Sequence, residues 1–117
     1  MILLSPIKLG AIEVKNRVVS TAHAAYTNFW QAGNSGERYM AYQERRAQGG
    51  TGLIILTAMH VHPTSQILGH YVYEPEDIAR KYQQMSTRIH RHGAKLIQQL
   101  FHFGAQEKSD PRDDWAP

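Results

Sequence analysis

The chain has 117 residues, of which 42% are hydrophobic and 20% charged, and this composition is typical of a single folded domain. The net charge of +3 comes from 13 basic and 10 acidic residues that are interspersed along the chain, which does not favour a nucleic-acid partner. No apolar run approaches the ~20 residues of a membrane span, and no secretory signal follows Met1, so we expect a cytoplasmic protein without a membrane partner. The absence of cysteine excludes disulfides, thiolate metal ligands and a cysteine nucleophile.

Three segments have the patterns of β-structure. Alternating apolar and charged residues in 2–16, with a turn around Gly10, predict a short hairpin. The β-branched run 17–22 predicts a first strand. Residues 51–58 contain a continuous apolar run, which is typical of a strand that is buried on both faces, as in parallel sheets.

Two helices and a further strand complete the pattern. Asn34, followed three positions later by Glu37, resembles a capping box and predicts a helix from Glu37 to Gln48. A second helix is predicted from Pro75 until Gly93 ends it. Residues 94–100 then predict a third strand. Four apolar residues recur at helical spacing in the second helix and predict its buried stripe: Ile78, Tyr82, Met85 and Ile89.

The order hairpin, then strand and helix in alternation, predicts an α/β fold with a parallel sheet. A doubly wound open sheet and part of a (β/α)8 barrel both fit this order. A dinucleotide-binding sheet would require a glycine-rich turn after the first strand, where this chain has Thr21, Ala22 and His23. A whole barrel requires ~250 residues, more than twice the length of this chain.

The residues resemble the old yellow enzyme family, which are FMN-dependent NADH:flavin oxidoreductases. The resemblance extends from Pro6 to Pro117 and implies a partial TIM (β/α)8 barrel: the hairpin 1–16, then the first three parallel strands and two helices in 17–117. It rests on these motifs: Asn16-Arg17-Val18-Val19; Gly52-Leu53-Ile54-Ile55 leading to Ala58; His92-Gly93-Ala94-Lys95; and Gln99-Leu100, His102 and Gly104.

The same resemblance implies a flavin site at the strand ends. Ala58 would approach the pyrimidine edge of a non-covalent FMN, and Gln99 would hydrogen-bond its carbonyl and ring N–H, because a carboxamide both donates and accepts. Tyr26 matches a residue that contacts substrate in some members, and we treat it as the catalytic candidate. The residues expected to lie against the flavin after the first strand are Thr21, Ala22, His23 and Ala24.

The implied activity is hydride transfer with NAD(P)H as electron donor, of the ene-reductase or dienoyl-CoA reductase type, on a small-molecule substrate. Thr21-Ala22-His23 and Ala105 depart from the family pattern and leave the substrate open. Because the later strands of the barrel are absent, we expect the 117-residue chain alone to be inactive and to form oligomers or aggregates. The alternative is a non-catalytic remnant or binding module. It could carry a metal on the loop with His60, His62 and His70, although we expect no metal site.

Overall fold

The computed structural model describes residues 1–23, 25, 29, 33–62, 65 and 75–104. The chain begins with a 3-10 turn at Ile2–Leu4 and an antiparallel hairpin of β1 (Ile7–Leu9) and β2 (Ile12–Val14). The turn between them uses Gly10 at a positive φ of 60°, a backbone conformation that glycine adopts without a steric penalty. The predicted hairpin is therefore confirmed.

A parallel sheet of three strands follows, in the order β3 (Val19–Ser20), β4 (Leu53–His60) and β5 (Lys95–Phe101). The first strand is much shorter than the predicted 17–22. The second begins two residues later than predicted because the amide of Thr51 still bonds to the carbonyl of Arg46 in the turn after the first helix.

The two helices occupy the predicted places. They are α1 (Glu37–Gln48) and α2 (Pro75–His90). The start of α1 differs from the predicted capping box, because Gly36 is the N-cap residue, in a left-handed conformation. The side chain of Asn34 instead accepts a hydrogen bond from the Gly36 amide at 2.8 Å. A side chain on Gly36 would lie 2.8 Å from the ring of Phe29, so the close approach requires glycine here.

Both helices pack on the same face of the sheet, and the core lies between them and the strands. Ile54 and Leu56 of β4 are fully buried there, against the predicted stripe of α2, whose Met85 and Ile89 are also fully buried. We call this the covered face. It accounts for the hydrophobic stabilisation of the described residues, since apolar burial is the main favourable term in folding.

The opposite face carries no helix among the described residues, and we call it the bare face. Lys95, Ile97 and Gln99 alternate onto it from β5, and all three are exposed, with 48% of Ile97 accessible. In a closed barrel this is the inner face, which the other strands enclose. The structure is thus an α/β unit equal to part of a (β/α)8 barrel, as predicted.

Two of the motif residues hold the amino-terminal edge of the sheet together. Asn16 is buried, donates to the carbonyl of Gly50 at 2.7 Å and accepts from the amide of Val18 at 3.1 Å. A Cβ on Gly52 would lie 2.4 Å from the Asn16 side-chain oxygen. The Asn16 and Gly52 motifs therefore have a structural role at the edge opposite the predicted site.

Candidate flavin site

The three parallel strands end at one edge of the sheet, and the predicted site residues gather there. Thr21, Ala22 and His23 follow β3, Ala58 lies near the end of β4, and Gln99 lies near the end of β5. Binding sites of α/β folds form at this carboxyl edge, because the loops that follow the strands converge on it. Ala24 and Tyr26 lie outside the described residues, so their assigned roles stay predictions.

A β-bulge lies at the centre of this edge. Leu56 pairs with Gln98 and Met59 pairs with Leu100, so Thr57 and Ala58 of β4 stand opposite Gln99 alone. Bulges interrupt the ladder, re-aim side chains and occur often beside active sites. The bulge therefore brings Ala58 and Gln99, two of the predicted flavin contacts, opposite each other.

The two adjacent glutamines of β5 have opposite environments. The Gln98 carboxamide accepts from the hydroxyl of Tyr82 at 2.6 Å and donates to the carbonyl of Thr57 at 2.7 Å, on the covered face. Within the described part of the chain, the Gln99 carboxamide makes no hydrogen bond, and its residue is exposed on the bare face. One carboxamide is fully used inside the protein, whereas the other has its donor and acceptor free for a ligand.

The segment after β3 contacts helix α1. Ala22 and Ala25 are half-buried, and Ala25 packs against the core of the covered face. The exposed His23 has Nδ1 3.1 Å from the carbonyl of Thr21 and Nε2 in a hydrogen bond with the Tyr42 hydroxyl. The guanidinium of Arg46 lies 3.5 Å from the centre of the Tyr42 ring and also bonds its hydroxyl.

The histidines near the strand ends do not form a metal site within the described residues, where no group of three potential ligands occurs. His60 is buried, and burial lowers the pKa of its imidazole, so it is neutral at pH 7. His102 accepts a hydrogen bond from the amide of Gly104 at 2.9 Å, which gives it a role in its own loop. His70 lies outside the described residues.

Sequence reasoning missed the residue that connects these pieces. Thr57 bonds to helix α1, to the segment after β3 and to β5 at once. The sequence indicates only that Thr57 belongs to the strand 51–58. The only signal in the sequence is a threonine that ends an apolar run, which is common in ordinary strands.

The fold is that of part of a (β/α)8-barrel oxidoreductase. The chain belongs to the NADH:flavin oxidoreductase / NADH oxidase family, whose model matches residues 2–116. The resemblance to old yellow enzymes is thereby confirmed. Within the described ranges, no helix has the length and apolar character to cross a membrane.

Three relatives illustrate the range of the family. The chain is 32% identical to an N,N-dimethylglycine/sarcosine dehydrogenase of Chromohalobacter salexigens, over 95% of this chain and 16% of the relative. It is 31% identical to an NADPH dehydrogenase of Halalkalibacterium halodurans, over 92% of this chain and 32% of the relative. The crystal structure of Old Yellow Enzyme from Pichia sp. AKU4542 superposes with a TM-score of 0.67 at 27% identity, over 89% of this chain and 27% of that one. The chain thus spans a third or less of these relatives' lengths.

Proposed function

We propose that residues 1–117 form the N-terminal segment of an FMN-binding barrel, whose remaining strands come from polypeptide beyond these residues. The hairpin 1–16 and the unit 17–117 would then be one part of a larger domain. The observation that carries the proposal is the free Gln99 carboxamide on the bare face, opposite the Thr57–Ala58 bulge. Membership of a flavin oxidoreductase family supports it.

The described residues fit the pyrimidine half of a flavin. Gln99 would donate from its amide to a ring carbonyl and accept from the ring N–H, while Ala58 would offer close backbone contact. Thr21, Ala22 and His23, with Ala24 beyond the described residues, would lie along the ring. When bound, FMN supplies a ring that takes a hydride from a donor and passes it to an acceptor. The protein's contribution is to bind that ring and to orient it.

We propose NAD(P)H as the electron donor and an activated alkene as the acceptor, with Tyr26 contacting the substrate. The NADPH dehydrogenase relative supports this reading. A second candidate is the oxidation of an N-methylated amine, supported by the N,N-dimethylglycine/sarcosine dehydrogenase relative. In both reactions the flavin would be non-covalent as far as this chain is concerned, because it contains no cysteine to attach it.

The test is a chimera in which this chain, kept whole, replaces the matching N-terminal region of the Halalkalibacterium halodurans NADPH dehydrogenase. We expect the chimera to bind FMN, to reduce cyclohexenone with NADPH, and to release its flavin on acid precipitation. Oxidation of sarcosine by the chimera without enone reduction would favour the second candidate. A folded chimera that binds no FMN would show the proposal to be wrong.

The 117-residue chain is the matched control. We expect no enone reduction above the rate with free FMN, because catalytic residues of barrels come from several strand ends. We also expect it to associate or aggregate through its bare face and open strand edges. Turnover by a monomeric chain would contradict both expectations.

A further inference from the structure

Thr57 uses all of its polar groups at the bulge. Its amide donates to the Tyr39 hydroxyl at 2.8 Å, and that hydroxyl donates to Thr57 Oγ1 at 3.0 Å. The Thr57 hydroxyl donates to the carbonyl of His23, and the Thr57 carbonyl accepts from Gln98. One residue thus joins helix α1, the segment after β3 and strand β5.

These bonds replace the backbone hydrogen bonds between β4 and β5 that the bulge interrupts. The extra residue of a bulge loses its regular pairing, and a half-buried amide without a partner lowers stability. The hydroxyl of Tyr39 reaches from α1 to satisfy the amide, and the side chain of Gln98 satisfies the carbonyl. The bulge is therefore held in one conformation by side chains from two neighbouring elements.

The residues next to this junction are the proposed flavin contacts. Ala58 follows Thr57 in the chain, Gln99 stands opposite it and follows Gln98, and His23 is bonded to it directly. A change in the conformation of Thr57 would move all three of these contacts. The ring of Tyr39 is buried against Phe29, with 5.1 Å between the ring centres, so its hydroxyl has a fixed position from which to act.

We propose that Tyr39 and Thr57 are positioning residues for the flavin, an inference that rests on the proposed function. Neither touches the ring in this proposal. The Tyr39 hydroxyl fixes the backbone of Thr57, and Thr57 sets the distance and angle between Ala58, Gln99 and the segment after β3. Helix α1 thereby acts on a site that it does not line.

The experiment compares Tyr39→Phe with Ile89→Val in the chimera. Phenylalanine keeps the ring packing and removes only the hydroxyl, whereas Ile89→Val weakens the core at a fully buried position of α2, away from the bulge. We measure the FMN dissociation constant by fluorescence quenching and amide hydrogen exchange of peptides that contain Thr57. We expect Tyr39→Phe to weaken FMN binding about five- to tenfold and to accelerate exchange in the 57–58 segment. Ile89→Val should leave both quantities within about twofold, as expected of a distant and independent site.

The possible results distinguish a failure of the proposed function from a failure of this inference alone. If the parent chimera binds no FMN, the proposed function is wrong and this inference with it. If the parent and Tyr39→Phe bind FMN equally, or Ile89→Val weakens binding as much, only the inference is wrong. If Tyr39→Phe does not fold, Thr57→Val decides by the same two measurements, because it removes the hydroxyl bonds to Tyr39 and His23 and keeps the amide.

Discussion

The two faces of the sheet differ in how far their side chains are buried and hydrogen-bonded within the protein. On the covered face, the Gln98 carboxamide is paired within the protein, with Tyr82 and Thr57. On the bare face, Gln99 keeps its full hydrogen-bonding capacity and Ile97 keeps about half of its surface exposed. The covered face therefore contains the buried core of the described residues, whereas the β5 side chains on the bare face stay exposed.

The contrast is clearest at Gln98 and Gln99, because they are the same residue type at adjacent positions of one strand. Their roles differ only by the alternation of side chains along a strand. A substitution at one position should therefore affect stability and at the other ligand binding.

The largest effect is expected in the core of the covered face. Leu56 is fully buried, and Leu56→Ala should lower the free energy of unfolding by about 2–5 kcal/mol through lost burial and a cavity. The matched variant Ile97→Ala on the bare face should cost less than about 1 kcal/mol in the 117-residue chain. Urea unfolding at low protein concentration measures both. Equal losses would mean that the bare face is covered in solution.

The next effect concerns Gln98. Gln98→Leu leaves the Thr57 carbonyl and the Tyr82 hydroxyl without this partner, and we expect a loss of about 1–3 kcal/mol in unfolding free energy. Gln99→Leu breaks no hydrogen bond of the described residues and should leave stability nearly unchanged. Equal unfolding free energies for the two variants would mean that the hydrogen bonds of Gln98 on the covered face do not contribute to stability.

Much of this architecture was predictable from sequence. The predicted bounds of α1 are confirmed although its N-cap is Gly36 and not Asn34, and the helical spacing of apolar residues predicted the stripe of α2. Strand bounds were less accurate, since β3 keeps only Val19 and Ser20 of the predicted 17–22. Pairing with a neighbour decides where a strand ends, and a single sequence does not contain that information.

The sequence predicted candidate residues for the site, but it did not predict the contacts that hold their backbone in place. Alternation left open which face of β5 carries helices, and only the resemblance favoured Gln99. The bond between Thr57 and Tyr39 joins residues 18 apart, and the bulge depends on β5, whose Gln98 lies 41 residues from Thr57, so no local pattern marks either of them. The flavin contacts themselves, and Tyr26 and Ala24 above all, stay predictions.

Ligand binding should reverse the ranking of the two glutamines. In the chimera, Gln99→Leu should weaken FMN binding about ten- to a hundredfold, because the buried pyrimidine groups lose both partners. The same substitution at Gln98 should weaken it much less, since its side chain lies on the covered face and acts only through the bulge. Titration of FMN into both apo-proteins measures this. A larger loss from Gln98→Leu would mean that the wrong face has been assigned to the flavin.

The smallest expected effect is the loss of stability in acid. It should come from the ion pairs between α1 and the residues of α2 and its C-terminal end, and not from Gln99, because a carboxamide does not titrate. Burial alone would raise the pKa of Glu44, but hydrogen bonds from Arg91 and His92 hold it below its usual value of 4.5. The bidentate bond from Arg88 likewise lowers the pKa of Glu37. A carboxylate with a depressed pKa adds stability that is present above its unfolded pKa and lost as the pH falls through its folded value.

We therefore expect the urea midpoint to fall as the pH drops below about 4.5, with a shallower decline beginning near 6.5 because the unfolded state protonates His60 more readily than the folded state does. Arg91→Gln should lower the midpoint at pH 7 by less than Gln98→Leu does, since the Arg91 side chain is 59% exposed and solvent screens the pair. The gap between the variant and the parent should narrow as the pH falls below 4.5, because protonation of Glu44 removes the benefit of the arginine. A constant gap between them from pH 7 to pH 3 would show that Arg91 stabilises the helix layer by packing and not by charge.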